Sequence, residues 1–551
     1  MGINIRSVAV SRSLENNGEG PGSVPQAWKR EFVRPVAGRA QNFPIPDCAH
    51  PLRPTDERTA ADRRAGALDA SIDDLLIAAA DRASRQLKAG WPKLSAATLH
   101  VWSRAFPALL GLLVVAAAFT TAGTIGVSIF VVLPIAFRIW VVMQPVATSP
   151  DPRLRPLFPV APDEEFPVYT VIAPLRGEAR VVNQLLSGIE RLNYPTDKLD
   201  VILAVEADDH ETRNAITARR HRIPITVIPI PPTKPGTKPK ALDVALPLAR
   251  GMFTVIYDAE DRPERNQLRV ALNAFRSAGN DLACVQARLC MDTDTSWLAR
   301  YFTAEYAGHF DVFLPRLAAF GLPIPLGGSS NHFRTETLRA VGGWDPYNVT
   351  EDADLGMRLA RFGYRCAVID STTYEEAPTD VRRWINQRSR WFKGWMQTWL
   401  VHMREPCRLY RELGPAGFLT FQFIVGGNAL VALAHPALLA KLFWDLAAMA
   451  YGGYDSTLVL WLSYHLSVAA IGYSVSAYLG YLGLSHRGVP NKVLILIWTP
   501  IHWLLLSVAA WWGAFELIGA PSHWRKTEHG LGQGETTDSV VNLLRLLRAA
   551  A

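Results

Sequence analysis

The chain has 551 residues, of which 49% are hydrophobic and 19% charged. Soluble domains usually carry about 25% charge, so the shortfall excludes disorder as the main state and points to segments placed in lipid. A net charge of +7 is modest for this length and excludes a nucleic-acid binder built on a dense basic face.

Residues 1–66 are rich in Arg, Pro, Gly and Asn and lack apolar periodicity, so disorder is expected there. No apolar stretch lies near Met1, and a cleavable signal peptide is not expected. In 67–105, Leu68, Ile72, Leu75, Leu76 and Ala79 recur at helical spacing, which predicts a helical element ahead of the membrane. The apolar stretch Phe106–Gln144 then suits two spans of about 20 residues each, split near Thr120–Thr124. A Pro-rich linker opens a segment of soluble character, 145–415. Within it VYTVIAP, LDVILAVE, ITVIPI and FTVIYDAED read as strands, separated by helical runs. Continuous apolar strands alternating with helices predict a doubly wound, mostly parallel α/β sheet. Ligands bind beyond the carboxyl ends of such strands, where Arg176, Glu178, Glu206, Asp208, Asp209, Asp258, Glu260 and Asp261 fall.

Three more apolar stretches occupy 416–520: Ala416–Tyr451, Ser456–Leu484 and Val493–Ala520. Together the four stretches hold only four charged side chains, Arg138, Lys441, Asp445 and Glu516. The rest of the chain therefore has ordinary soluble character. Lys and Arg cluster in the N-terminal flank and in the α/β segment, which places both on the cytoplasmic side. A cytoplasmic tail over 521–551 requires an even number of crossings after that segment, whereas three stretches are visible. Ala416–Tyr451, with His435-Pro436 near its middle, suits two short crossings or an interfacial helix plus one span. Five cysteines without a CxxC pair give no disulfide framework or zinc site.

Three motifs carry chemistry. Asp258-Ala259-Glu260 ends a strand with two carboxylates that can share a divalent cation with substrate phosphates; a solvated acidic turn would look the same. Thr350-Glu351-Asp352 precedes a helix, where Asp352 could act as a base or simply cap it. Gln387-Arg388-Ser389-Arg390-Trp391 lies in an aromatic and basic run that also suits an interfacial helix.

In this order, between membrane spans, the three motifs resemble the processive family 2 glycosyltransferases, which include the cellulose, curdlan and hyaluronan synthases. YDAEDRPE and the tail HWRKTEHG resemble the bacterial cellulose-synthase-like group. No PilZ domain follows the spans, in contrast to bacterial cellulose synthase. The resemblance covers roughly 168–530 and implies a GT-A type sheet inserted between transmembrane helices.

It further implies roles by position. Glu206, or Asp208 in its place, contacts the nucleoside of a UDP-sugar. Lys238, with Lys240 as rival, lies near the nucleotide. Asp258 and Glu260 hold Mg²⁺ or Mn²⁺. Asp352 is the catalytic base. Gln387, Arg390 and Trp391, helped by Arg388, close the site, and Trp391 offers a flat face to the acceptor sugar. Gly327 and Gly328 in LGGSSNHFR form an acceptor-side segment, and the 522–530 tail is either a gating loop or a plain basic flank. The implied enzyme is an inverting β-hexosyltransferase of the bacterial inner membrane, multi-pass, with a cytoplasmic catalytic domain and six spans. It would polymerise a UDP-sugar, with UDP-glucose foremost, onto a growing polysaccharide and export it, with room for a periplasmic export partner. Rival readings are transfer to a lipid acceptor, and a non-catalytic transporter or partner subunit. Gln422, Asn428, His435, Tyr464, His465, Tyr473, His502 and Trp503 would line an export route or bond helix to helix.

Overall fold

The structure, a computed structural model, describes residues 72–144, 166–293, 295–452 and 455–524. The expected disorder over 1–66 and most of the 521–551 tail lie outside the described residues.

Eight strands form one sheet. They are β1 Tyr169–Leu175, β2 Leu199–Glu206, β3 Ile225–Ile230, β4 Phe253–Ile256, β5 Arg262–Pro263, β6 Leu282–Met291, β7 Asn331–Arg334 and β8 Arg365–Glu375. Their order is β3-β2-β1-β4-β7-β6-β8-β5. β1 pairs in parallel with β2 and β4, β2 with β3, and β6 with β8. β7 runs antiparallel between β4 and β6, and β5 antiparallel to β8. The sheet is therefore a mixed one of GT-A type, and less parallel than the strand-helix alternation predicts. β7 departs because it is reached from a long helical excursion over Trp297–Ala319 rather than from a helix laid back across the sheet.

Apolar runs make these strands because both faces are covered. Val171, Ala173 and Val201 pack under Leu185, Ile189, Leu272 and Phe275. Ile172, Ile202 and Ala204 pack on the other side with Leu242, Leu355 and Leu359. All eight residues of β2 are buried. The parallel strands end at one edge, and antiparallel β7 starts there. Arg176, Glu206, Asp258, Met291 and Glu375 are thus delivered to the same edge as the Gly327–Ser330 turn.

The helix Ile72–Gly90 packs on this domain, with Ala80 and Ala83 joining the core around Ala241 and Leu242. Ser95 Oγ and the Ala96 amide then donate to Asp345. The helical element expected ahead of the membrane is thus strapped across the α/β domain.

Four helices are long and apolar enough to cross a membrane: Gly123–Met143, Pro406–Gly452, Ser456–His486 and Lys492–Gly519. A shorter apolar helix, Val101–Ala117, precedes them. Six such helices are not found among the described residues. Pro406–Gly452 is kinked at Gly414, where φ is +68°, and winds into a π-turn over Gln422–Gly426. It runs through His435-Pro436 unbroken. The two-short-crossings reading of this stretch therefore gives way to one kinked helix.

Candidate active site

Each motif arrives on a different element. Asp258 follows β4, and its amide donates to Asp261 Oδ2 at 2.7 Å, which fixes the acidic turn. Lys238 opens the helix Lys238–Ala245. Its Nζ lies 2.5 Å from Asp258 Oδ1 and donates to the Gly328 carbonyl at 2.6 Å. Burial works against the Lys238 ammonium, but Asp258 and Glu351 outweigh it and push its pKa upward. Lys240, two residues on, points elsewhere and donates to the Pro231 and Thr233 carbonyls.

Thr350 is the cap residue of the helix Glu351–Arg361, so Asp352 sits inside its first turn and is free to face the cavity. Asp352 Oδ1 accepts from the Ala353 amide at 2.7 Å. Burial raises its pKa, and burial with the adjacent Asp352 raises that of Glu351 to about 7. Gly328 explains how Lys238 and Asp352 share one space. A Cβ at that position would lie 3.3 Å from Asp352 Oδ2 and 3.9 Å from Lys238 Nζ.

Gln387 and Arg390 lie on the helix Val381–His402, whose first turn is capped by Asp380 accepting from the Arg383 amide. Gln387 Oε1 and Arg390 Nε are buried with no hydrogen-bond partner among the described residues. The Arg390 guanidinium lies 5.5 Å from the ring of Trp524, which returns from the C-terminal segment to the site. Arg388 has another task. It binds Glu305 with both terminal nitrogens, at 2.8 and 2.5 Å, and stacks 4.4 Å from the Trp391 ring. It steadies Trp391 more than it offers donors to a substrate. Burial alone would raise the Glu305 carboxyl, but Arg388 and His502 hold it down at about 2.

One cavity of about 380 Å³ joins these groups. Its wall includes Glu206, Lys238, Asp258, Glu260, Asp352, Gln387, Arg388, Arg390 and Trp391. Asp208 is exposed and off the wall, so Glu206 is the acid at the β2 end. His332 is a core residue bonded to the Tyr169 hydroxyl at 2.8 Å. Sequence reasoning missed Glu305, Tyr306, Glu375 and Arg138, all on the same wall.

An oxygen-only donor set at Asp258 and Glu260, with buried Asp261 Oδ1 lacking a hydrogen-bond partner among the described residues, suits a hard divalent cation. No three His, Cys, Asp or Glu side chains form a closed cage among the described residues. Two carboxylates together with donor phosphate oxygens would be the kind of set that Mg²⁺ or Mn²⁺ takes.

Residues 253–515 match the family described as glycosyl transferase family group 2. The chain is 24% identical over 299 residues to a probable glycosyltransferase, YdaM, of Bacillus subtilis, covering 51% of this chain and 68% of the relative. It is 24% identical over 285 residues to the beta-monoglucosyldiacylglycerol synthase of Synechocystis, covering 50% and 58%. It is 26% identical over 279 residues to glucomannan 4-beta-mannosyltransferase 2 of Arabidopsis thaliana, covering 48% and 50%. The mannosyltransferase PcManGT from Pyrobaculum calidifontis, solved with GDP-Man and Mn²⁺, aligns at 22% identity and TM-score 0.42, over 65% of this chain and 97% of that one. The chain thus spans about half to two thirds of these curated relatives. Just under half of it, residues 253–515, is similar to family 2 glycosyltransferases.

Proposed function

We propose that this chain moves a hexosyl unit, with inversion, from a nucleoside diphosphate sugar to a hydroxyl that enters the cavity from the membrane side. The observation that carries the reading is the single cavity in which Asp352 faces the Lys238–Asp258 pair across Gly328. A hydroxyl is a weak nucleophile, so Asp352 takes its proton as the oxygen attacks the anomeric carbon. The bond to the diphosphate breaks, and Lys238 and Arg390 stand where the leaving charge develops. Glu206 would meet the nucleoside at the β2 end. Asp258 and Glu260 would hold Mg²⁺ or Mn²⁺, which offsets charge on the diphosphate when bound.

UDP-glucose is the first donor to try, with the site on the cytoplasmic face of a bacterial inner membrane. Repeated addition to a growing, exported β-glucan, with an export partner beyond the membrane, is favoured by Gln387, Arg390 and Trp391 on the wall. Single transfer to a lipid is favoured by a second cavity that adjoins this one among the apolar helices. The second cavity, of about 80 Å³, shares Arg138, Asn428, Ser476 and Trp503 with the first and includes Val131, Ile135, Val431, Leu438 and Leu442 in its wall. Membranes containing the protein should transfer label from a UDP- or GDP-sugar panel in a metal-dependent way, and Asp352→Asn should lower the rate by roughly 10²-fold or more. An unchanged rate in that variant would sink the enzymatic reading. Alcohol-insoluble polymer or organic-soluble product then separates the two fates.

A further inference from the structure

We propose that Arg138 marks an acceptor subsite for the phosphate of a membrane phospholipid whose headgroup also carries a free hydroxyl. The inference rests on the transferase reading above and names its acceptor.

Arg138 is the only charge in the stretch Phe106–Gln144 and lies in the membrane helix Thr121–Met143. It lines the floor of the catalytic cavity. Its Nη2 donates to the neutral Asn428 Oδ1 at 2.5 Å. No carboxylate pairs with it among the described residues. Glu305 is the acid that acts on it electrostatically, yet both Glu305 oxygens are bound by Arg388. Two guanidinium groups therefore share one carboxylate. His309 beside them adds no negative charge, and burial holds its pKa down at about 4. The floor carries one positive charge in excess. An uncompensated charge at this depth is costly, and a bound anion would cancel it.

A second cavity with a mostly apolar lining adjoins Arg138. The second cavity shares Arg138, Asn428, Ser476 and Trp503 with the catalytic one. Its polar members are largely spoken for. His435 bonds Ser507 and Tyr473, and His465 bonds Asp445. At about 80 Å³ it falls well below the roughly 300–1,000 Å³ of ordinary small-molecule sites. It fits part of an acyl chain whose remainder lies in the bilayer.

Asp352 decides between phosphate-bearing lipids. A polyprenyl phosphate attacks through an oxygen that is already ionised and needs no base. A headgroup hydroxyl needs one. In the resulting step the hydroxyl oxygen bonds to the anomeric carbon, its proton passes to Asp352, and the carbon–oxygen bond to the nucleoside diphosphate breaks. The diphosphate leaves with the electron pair.

The test uses the full chain in phosphatidylcholine nanodiscs with labelled nucleotide sugar. Phosphatidylglycerol, diacylglycerol or polyprenyl phosphate is added in separate arms. Phosphatidylglycerol should be glycosylated with a kcat/KM about tenfold or more above diacylglycerol, the scale of one charge-assisted hydrogen bond. Arg138→Gln should bring that ratio toward one, chiefly through the lipid KM, and Arg138→Lys should restore most of it. Equal use of the two lipids by the wild type, preference for polyprenyl phosphate, or a polymer formed regardless of lipid would each overturn the proposal. The wild-type comparison decides even if Arg138→Gln does not fold. Absence of donor turnover in every arm, including hydrolysis to water, would instead remove the transferase reading beneath it.

Discussion

The proposed base, Asp352, can take a proton only when ionised, and its surroundings resist that form. Burial raises its pKa, and Glu351 beside it sits at about 7. Rate should therefore fall as pH drops through these raised values, with an acid limb above the ordinary aspartate value of about 3.9. Two carboxylates this close titrate as a pair. Glu351→Gln removes one like charge, so the limb of kcat against pH should become a single step at lower pH. A limb that stays in place would show that Asp352 does not feel its neighbour. Gly328→Ala tests the gap itself. The new methyl would stand between base and lysine, so kcat should fall about tenfold or more with little change in Tm. The acids named from sequence show what residue-level reading can supply. Asp258 and Asp352 stand out because strand end and helix start are local patterns. Glu206 and Asp208 are chemically alike and two residues apart, and only burial tells them apart. Lys238 and Lys240 differ because residues two apart on a helix face different ways. Arg138 and Asn428 meet across 290 positions, and no local pattern encodes that.

The helix Val381–His402 reads from sequence as an amphipathic surface element, and half of that reading survives. Its partner is the last apolar helix, Thr499–Gly519, which lies close enough that a Cβ on Gly513 would come 2.6 Å from the Ser389 carbonyl oxygen. The fastening is Lys393. Its Nζ reaches Glu516 at 3.2 Å and the His523 carbonyl at 2.7 Å, with both side chains buried. These bonds hold the turn that carries Trp524 to Arg390. Lys393→Met should remove the contacts to Glu516 and to the Ala520 and His523 carbonyls and lower the Tm in detergent. On the other side of the same helix, Gly394 admits Thr350, since a Cβ there would stand 2.3 Å from Thr350 Oγ1. Gly394→Ala should shift the turn before Asp352 and cost both activity and about 1–3 kcal/mol of stability.

At the scale of the molecule, the number of crossings was the feature least legible in sequence. Hydropathy reports length and composition, and Lys492–Gly519 passes on both. It does not report where the ends of a helix are anchored. Thr499 accepts from the Tyr301 hydroxyl, and Trp498 packs 5.0 Å from Trp297, on the helix that follows β6. Arg487, just before, binds Asp311 and donates to the Leu289 carbonyl of β6. The far end meets Lys393 and Arg390. Both ends are thus held by the catalytic layer, while Trp511 in the middle bonds the Leu433 carbonyl of a membrane helix. A helix tethered in this way is expected to lie along the membrane face rather than to cross it. On that expectation Pro406–Gly452 and Ser456–His486 are the crossings that follow the α/β domain, which agrees with the even number expected between that domain and its tail. Single cysteines in a chain with its native cysteines replaced by serine would show this. With a membrane-impermeant thiol reagent, Gly488→Cys and Ser522→Cys should label from the same side of the membrane, and Ser456→Cys and Phe119→Cys from the other. Labelling of residues 488 and 522 from opposite sides would make Thr499–Gly519 a true span and break the parity that joins the catalytic domain to its tail.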